Sequence, residues 1–235
     1  MAALQSPLTQ PDWQVSPGLT PYGEALREMD AHVERMLRQQ AGERVWLVEH
    51  EAVITAGTSS AAAELVDSSR FPVVEAGRGG RFTYHGPGQR VIYPMLDLGR
   101  RGRDVHRYVS SLEQWAIAAL GEFAIRAFPH EAGTGIWVDT ANGIAKIGAI
   151  GVRVRRWISF HGLAINVATD LSHYGAIIPC GISAHGVARL ADLAPGASLA
   201  DLDAALLRHL PSMLTSLTGC RASTMKALEA EGDCS

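Results

Sequence analysis

Cys180 stands in the run IIPCGIS, residues 177–183, between Pro179 and Gly181. A turn there exposes a sulfur and sets it among backbone N–H groups that favour the thiolate, the form in which cysteine acts as a nucleophile. Against this stands the ordinary fate of a solitary cysteine, which is to fill a small space in a core. Lys146 lies in NGIAKIGAIGVRVRR, residues 142–156, and is one of two lysines among 21 basic residues. Strand alternation puts Ile144, Lys146, Gly148, Ile150, Val152 and Val154 on one face and Arg153 and Arg155 on the other. A lysine on the apolar face loses hydration, which favours the neutral amine and frees it to act as a base, a role closed to arginine. A bulge at Gly148 or Gly151, or an ammonium that reaches water along its stem, would remove that reading.

Two further segments have the composition of ligand sites. In RGGRFTYHGPGQRVIYPMLDL, residues 78–98, Gly79, Gly80, Gly86 and Gly88 allow backbone N–H groups to approach a ligand, with Tyr84 and His85 beside the opening. An ordinary glycine-rich hairpin with surface aromatics has the same composition, and the run fits neither the P-loop nor the dinucleotide fingerprint. In FHGLAINV, residues 160–167, His161 next to Gly162 either lines a pocket or is a hydrogen-bonded core histidine, the commoner outcome. A zinc site from His85, His161 and Cys180 matches no metal-ligand spacing.

Such groups need a scaffold to hold them. Thr20 followed by Pro21 reads as a helix start, with Leu26, Met29, Val33 and Leu37 at helical spacing and a stop near Gly42. VWLVEH (45–50) reads as a strand, and residues 81–85 and 89–96 as two strands around a Gly-Pro-Gly turn. A second helix is expected over 104–127, ended by Pro129. Asn142-Gly143 joins two strands of a hairpin, residues 158–168 add a strand, and shorter helices are expected over 187–193 and 199–217, the latter interrupted at Pro211. Strands in the middle with helices around them predict an α/β (α+β) class, with a mixed, largely antiparallel sheet flanked by helices. No repeat or long linker divides the 235 residues, so a single domain over 1–235 is expected, with an N-terminal arm over about 1–18 and a C-terminal tail over about 220–235.

Composition narrows the function. A formal net charge of −3 gives no basic excess for nucleic acid, and no apolar run reaches the roughly 18 residues of a membrane span. The start of the chain lacks the pattern of a secretory signal. Three cysteines without a CxxC pair point to free thiols in a reducing, cytoplasmic setting.

Taken together, RGGRFTYHGPGQ, then KIGAIGVRVRRWISFHGLAINV, then IPCG resemble the three signature blocks of the lipoyl(octanoyl) transferase family, with a weaker echo in EHEAVITAGTS (49–59). One departure is Glu51-Ala52, where the family often carries a proline. The resemblance implies the fold of biotin and lipoate protein ligase catalytic domains. It implies Cys180 as the acyl-thioester nucleophile and Lys146 as the group that lowers its pKa and handles protons. It implies a substrate site from Arg78, Gly79, Gly80, Arg81, Phe82, Thr83, Tyr84, His85, Ala149, Ile150, Gly151, Gly162, Leu163 and Ala164, supported by His161. The donor would be octanoyl-acyl carrier protein. The acceptors would be lipoyl domains of 2-oxoacid dehydrogenases and the glycine cleavage H protein. No metal, nucleotide or organic cofactor is implied. Arg100, Arg101, Arg103 and Arg107 form a candidate docking patch for these acidic partners, or else a solvated helix start. An ATP-dependent lipoate ligase of the same fold and a non-catalytic lipoyl-domain binding module are the rival expectations.

Overall fold

Alternation in the strand Arg44–His50 shows how the sheet is built. Val45 and Leu47 pack into one core and Trp46 and Val48 into another, so both faces of this strand are covered. The computed structural model describes residues 10–178 and 185–218. Along the chain run β1 (Asp12–Thr20), α1 (Tyr22–Leu37), β2 (Arg44–His50), β3 (Val53–Ala56), β4 (Val73–Glu75), β5 (Thr83–His85) and β6 (Gln89–Met95). There follow α2 (Val105–Gly121), β7 (Ala127–His130), β8 (Gly133–Thr140), β9 (Gly143–Arg155) and β10 (Ile158–Asn166). The described chain ends with β11 (Gly186–Val187), α3 (Leu190–Leu193) and α4 (Leu199–Ser216).

The main sheet has the order β1-β2-β6-β10-β9-β8-β7, with β11 joined to β9. Its pairings are antiparallel except β1 on β2 and β11 on β9. A second, small sheet has the order β4-β3-β5. Helices α2 and α4 cover one face of the main sheet, where Leu112, Trp115, Leu206 and Leu210 meet Leu47, Ile92, Leu163 and Ile165. The Trp115 indole N–H donates to the Leu206 carbonyl at 2.8 Å, so even this deep ring has its donor satisfied. Helix α1 lays Ala25, Met29 and Val33 on the opposite face, against Val91, Tyr93 and Phe160. The mixed α/β class with a largely antiparallel sheet is therefore what the chain adopts. Among the described residues no helix is long and apolar enough to cross a membrane.

Several expectations differ from the structure. Asp12–Thr20, taken in part as an arm, is strand β1, because Trp13 reaches Trp115 edge-on at 6.4 Å and Ser16 accepts from the Trp46 indole at 2.9 Å. Helix α1 stops at Leu37, short of Gly42, and the next residue but one, Gln39, takes a left-handed backbone. Helix α2 stops at Gly121, since Ala124 is left-handed; Ala127, expected as its last residue, instead opens edge strand β7. Pro129 sits where that strand's register shifts, so its missing N–H breaks no regular ladder. β5 and β6 do not pair with each other: the Gly-Pro-Gly turn hands the chain from the small sheet to the main one. Pro211 does not interrupt α4; the carbonyl that loses its partner belongs to Leu207, which is exposed.

Candidate active site

On the α1 side of the sheet, a cavity of about 220 Å³ crosses β6, β10 and β9 toward the start of β8. Residues 80–83 cover it, and Tyr22 at the start of α1 closes one end. Its floor is stripped of side chains where Gly151 pairs with Gly162. A Cβ on Gly162 would lie 2.2 Å from the Ile92 carbonyl, and one on Gly151 would lie 2.9 Å from Arg78 Cδ. At Gly151 only glycine lets the cover come this close to the sheet, whereas at Gly162 the close neighbour is the adjacent strand β6. Among the described residues no aspartate or glutamate lines the cavity, whereas Arg78, Arg81 and Lys146 do.

Lys146 marks one end. It is buried, its Nζ donates to the Thr134 carbonyl at 2.8 Å, and the same nitrogen stands 5.3 Å from the Trp137 ring centroid. Gly135 lies under its stem, where a Cβ would meet Lys146 Cε at 2.4 Å. The register explains how the side chain arrives there. Ile136 pairs with Gly148 but Trp137 with Lys146, so Ile147 is an extra residue in β9. Ala145 and Ile147 face the α2–α4 core before that bulge, and Ile150, Val152 and Val154 face it afterwards. Lys146 therefore does not share a face with Ile150, Val152 and Val154, as uninterrupted alternation had it. The bulge turns it to the cavity side.

The opposite end is built from rings. His50 Nδ1 donates to the Thr20 carbonyl and Nε2 accepts from the Tyr93 hydroxyl, both at 2.7 Å. Burial pushes the His50 pKa down to about 4, in keeping with this neutral form. His85 Nδ1 donates to Gln89 Oε1 at 2.6 Å, and burial, then the neighbouring His50, hold its pKa well below the ordinary range. Tyr22 stacks on His85 at 5.8 Å, and its hydroxyl pKa is raised to about 12 by burial. His161 has a left-handed backbone (φ 58°), stacks on Phe160 at 5.3 Å and meets Tyr93 edge-on at 6.2 Å. Its buried Nδ1 has no hydrogen-bond partner among the described residues.

Arg78 fixes the cover. Its guanidinium donates to the carbonyls of Gly79, Arg81 and Thr55 and to the Thr55 hydroxyl, at 2.7–3.1 Å. Gly79 N–H donates to the Val152 carbonyl at 3.0 Å and ties the loop to β9. Arg81 pairs with Glu64 at the rim.

Of the residues singled out in the sequence, Arg78, Gly80, Arg81, Phe82, Thr83, His85, Lys146, Ala149, Ile150, Gly151, His161, Gly162, Leu163 and Ala164 line the cavity. Gly79 and Tyr84 do not. Alternation along β5 turns Thr83 and His85 toward the cavity and Tyr84 away, into the small-sheet core, where its hydroxyl meets His173 Nδ1 at 2.7 Å. Tyr84 is thus not a group at the opening. Tyr22, Tyr93, Gly133 and Thr134 also line the cavity and were not singled out. Period-two spacing of Val91, Tyr93 and Met95 carries a signal for Tyr93; nothing local marks Tyr22. Cys180 lies outside the described residues. The described chain on either side of 179–184 is tied down: Ile178 N–H donates to the Glu64 carbonyl at 2.7 Å, and Val187 pairs with Lys146 itself. The arginine patch is not intact as a docking surface, because Arg101 is buried and forks onto Glu43.

The description "Lipoyl protein ligase A/B catalytic domain" belongs to a family model that matches residues 21–211. An octanoyltransferase of Rhizorhabdus wittichii is 52% identical over 91% of this chain and 94% of its own length. One from Sphingopyxis alaskensis is 53% identical over 89% and 97%. Among solved structures, a bipartite lipoate protein ligase from Thermoplasma acidophilum superposes with TM-score 0.67 at 17% identity, covering 88% of this chain and 85% of that one. A biotin protein ligase from Aquifex aeolicus gives 0.50 at 11% identity, over 94% and 76%. These two likenesses speak to the fold alone.

Proposed function

The chain belongs to the lipoyl protein ligase A/B catalytic-domain family and is an acyltransferase; on that premise we propose that it moves octanoyl from acyl carrier protein to a lysine of lipoyl domains through a thioester on Cys180. The observation that carries this reading is a buried lysine amine at the end of a cavity that no described carboxylate lines, on the strand position that pairs with the chain beyond Cys180. Gly186, six positions after Cys180 in the sequence, pairs with Ala145.

In the first half-reaction the Cys180 thiol passes its proton to the Lys146 amine, and the thiolate attacks the octanoyl thioester carbonyl. The tetrahedral adduct collapses by expelling the carrier thiolate, which takes back from Lys146 the proton that Cys180 gave up, so the amine is neutral again. One thioester replaces another of similar energy, so ATP has no role. In the second half-reaction the acceptor lysine, deprotonated with the help of Lys146, attacks the acyl-enzyme; an amide forms and the Cys180 thiolate leaves. The Thr134 carbonyl holds the Lys146 amine in place for both steps. Backbone N–H groups of the glycine-rich cover are suited to receive the oxyanions. The donor, the lysine acceptors on 2-oxoacid dehydrogenases and the H protein, and a cytoplasmic setting belong to this reading.

Intact-mass measurement after incubation with octanoyl-acyl carrier protein tests it. Wild type should gain one octanoyl group that hydroxylamine removes, without ATP, and Cys180→Ala should gain none. An adduct that persists in Cys180→Ala, or that requires ATP, overturns the thioester route.

A further inference from the structure

His161 is a wall common to two cavities. One is the pocket described above. The other, about 270 Å³, lies behind it under α1, with Leu26, Met29 and Phe160 as its apolar side and Arg153 and the exposed Asp30 and Glu75 as its charged side. Lys146, where the reacting carbonyl must come, is at the β8–β9 end of the first cavity, and His161 is at the β6–β10 end beside Tyr93. An acyl chain held at its carbonyl therefore runs across the sheet toward the imidazole. We propose that the His161 ring is the stop that ends the acyl site and sets the longest chain accepted, with the second cavity as the space it denies to longer fatty acyl groups. This rests on the acyl-transfer reading above.

Two features set His161 apart from a core histidine. A left-handed backbone is unusual for a residue with a Cβ, and a buried ring nitrogen without a partner among the described residues costs free energy that an apolar or smaller residue would avoid. Both are carried at the one position that divides the cavities. Burial, with Arg78 and Arg153 nearby, pushes its pKa down to about 3, so the wall shows a neutral face to an alkyl end. Phe160 stacked on one side and Tyr93 edge-on hold the ring in place.

Glycine suits a φ of 58° better than histidine does, so His161→Gly removes the wall without straining the strand. Wild type, His161→Gly and His161→Asn are loaded from octanoyl-, decanoyl-, dodecanoyl- and tetradecanoyl-acyl carrier protein, and acyl-enzyme formation is followed by mass. The dodecanoyl-to-octanoyl ratio of kcat/KM should rise at least tenfold in His161→Gly and less in His161→Asn, which keeps part of the wall. Adding Leu26→Trp to His161→Gly, which fills the second cavity, should return the ratio to near the wild-type value. A ratio within twofold of wild type in both single variants, or a rise that Leu26→Trp leaves in place, overturns the proposal while leaving acyl transfer standing. A wild type that takes no octanoyl group from the carrier overturns both.

Discussion

The two faces of the main sheet are made of different materials. Toward α2 and α4 the buried side chains are apolar almost without exception, from Val45 and Leu47 through Trp115 to Leu206. Toward α1 the same strands bury His50, His161, Lys146 and, with the cover, Arg78 and His85. Polar groups in such numbers cost free energy unless each finds a partner, and most here do, through Thr20, Tyr93, Gln89, Thr55 and Thr134. The contrast separates labour: one face supplies cohesion, the other holds polar groups in fixed places. Substitutions should therefore move stability on the first face and chemistry on the second.

The sharpest break would come from Lys146→Arg. It keeps the positive charge but offers no base at neutral pH, so steady-state octanoyl transfer should fall about 10³-fold. Near-normal turnover would remove the amine from the mechanism. On the other face, Leu206→Ala, at a fully buried position, should lower the unfolding free energy by about 2–5 kcal/mol in urea titrations. Its kcat/KM, read well below the melting range, should stay within about twofold, since no kinetic term depends on that face; a large kinetic loss would show that the faces are coupled. A smaller effect is expected from pH. His50 and His161 are held neutral in the fold, with pKa values near 4 and 3, but bind protons near 6.5 when unfolded. The unfolded chain thus takes up more protons as pH falls through about 6.5, and their contribution, complete above that pH, is lost below it. The pair should cost about 3 kcal/mol between pH 6.5 and 5, and His50→Gln should halve that share. Equal slopes for variant and wild type would show that His50 is not buried neutral.

Much of the cohesive face could be read in the sequence, because periodicity is enough where every inward position is apolar. VWLVEH, the Asn142-Gly143 hairpin and the apolar stripe of α2 follow from spacing alone. The pocket face was legible in composition but not in geometry. One extra residue, Ile147, reverses which side of β9 Lys146 takes, and no local pattern reports a bulge before the partner strand is known. Tyr84 and His85 are adjacent in sequence yet serve different cores, since β5 belongs to a sheet of three strands whose existence depends on residues 53–56 and 73–75. Arg101 looked like surface charge because Glu43, its partner, is 58 positions away. Strand β1 was missed for a similar reason: Val15 and Leu19 face outward at the edge, so the segment carries little apolar signal of its own.

Tyr22 has two memberships. It opens α1, and so belongs to the unit β1–α1–β2, and its ring is part of the cavity wall against His85. Whatever fills the cavity must therefore be linked, in free energy, to the seating of that helix: occupancy favours the docked state, and loosening the helix weakens occupancy by the same factor. On the acyl-transfer reading proposed above, the unit β1–α1–β2, which holds neither Cys180 nor Lys146, thereby has a thermodynamic share in every turnover.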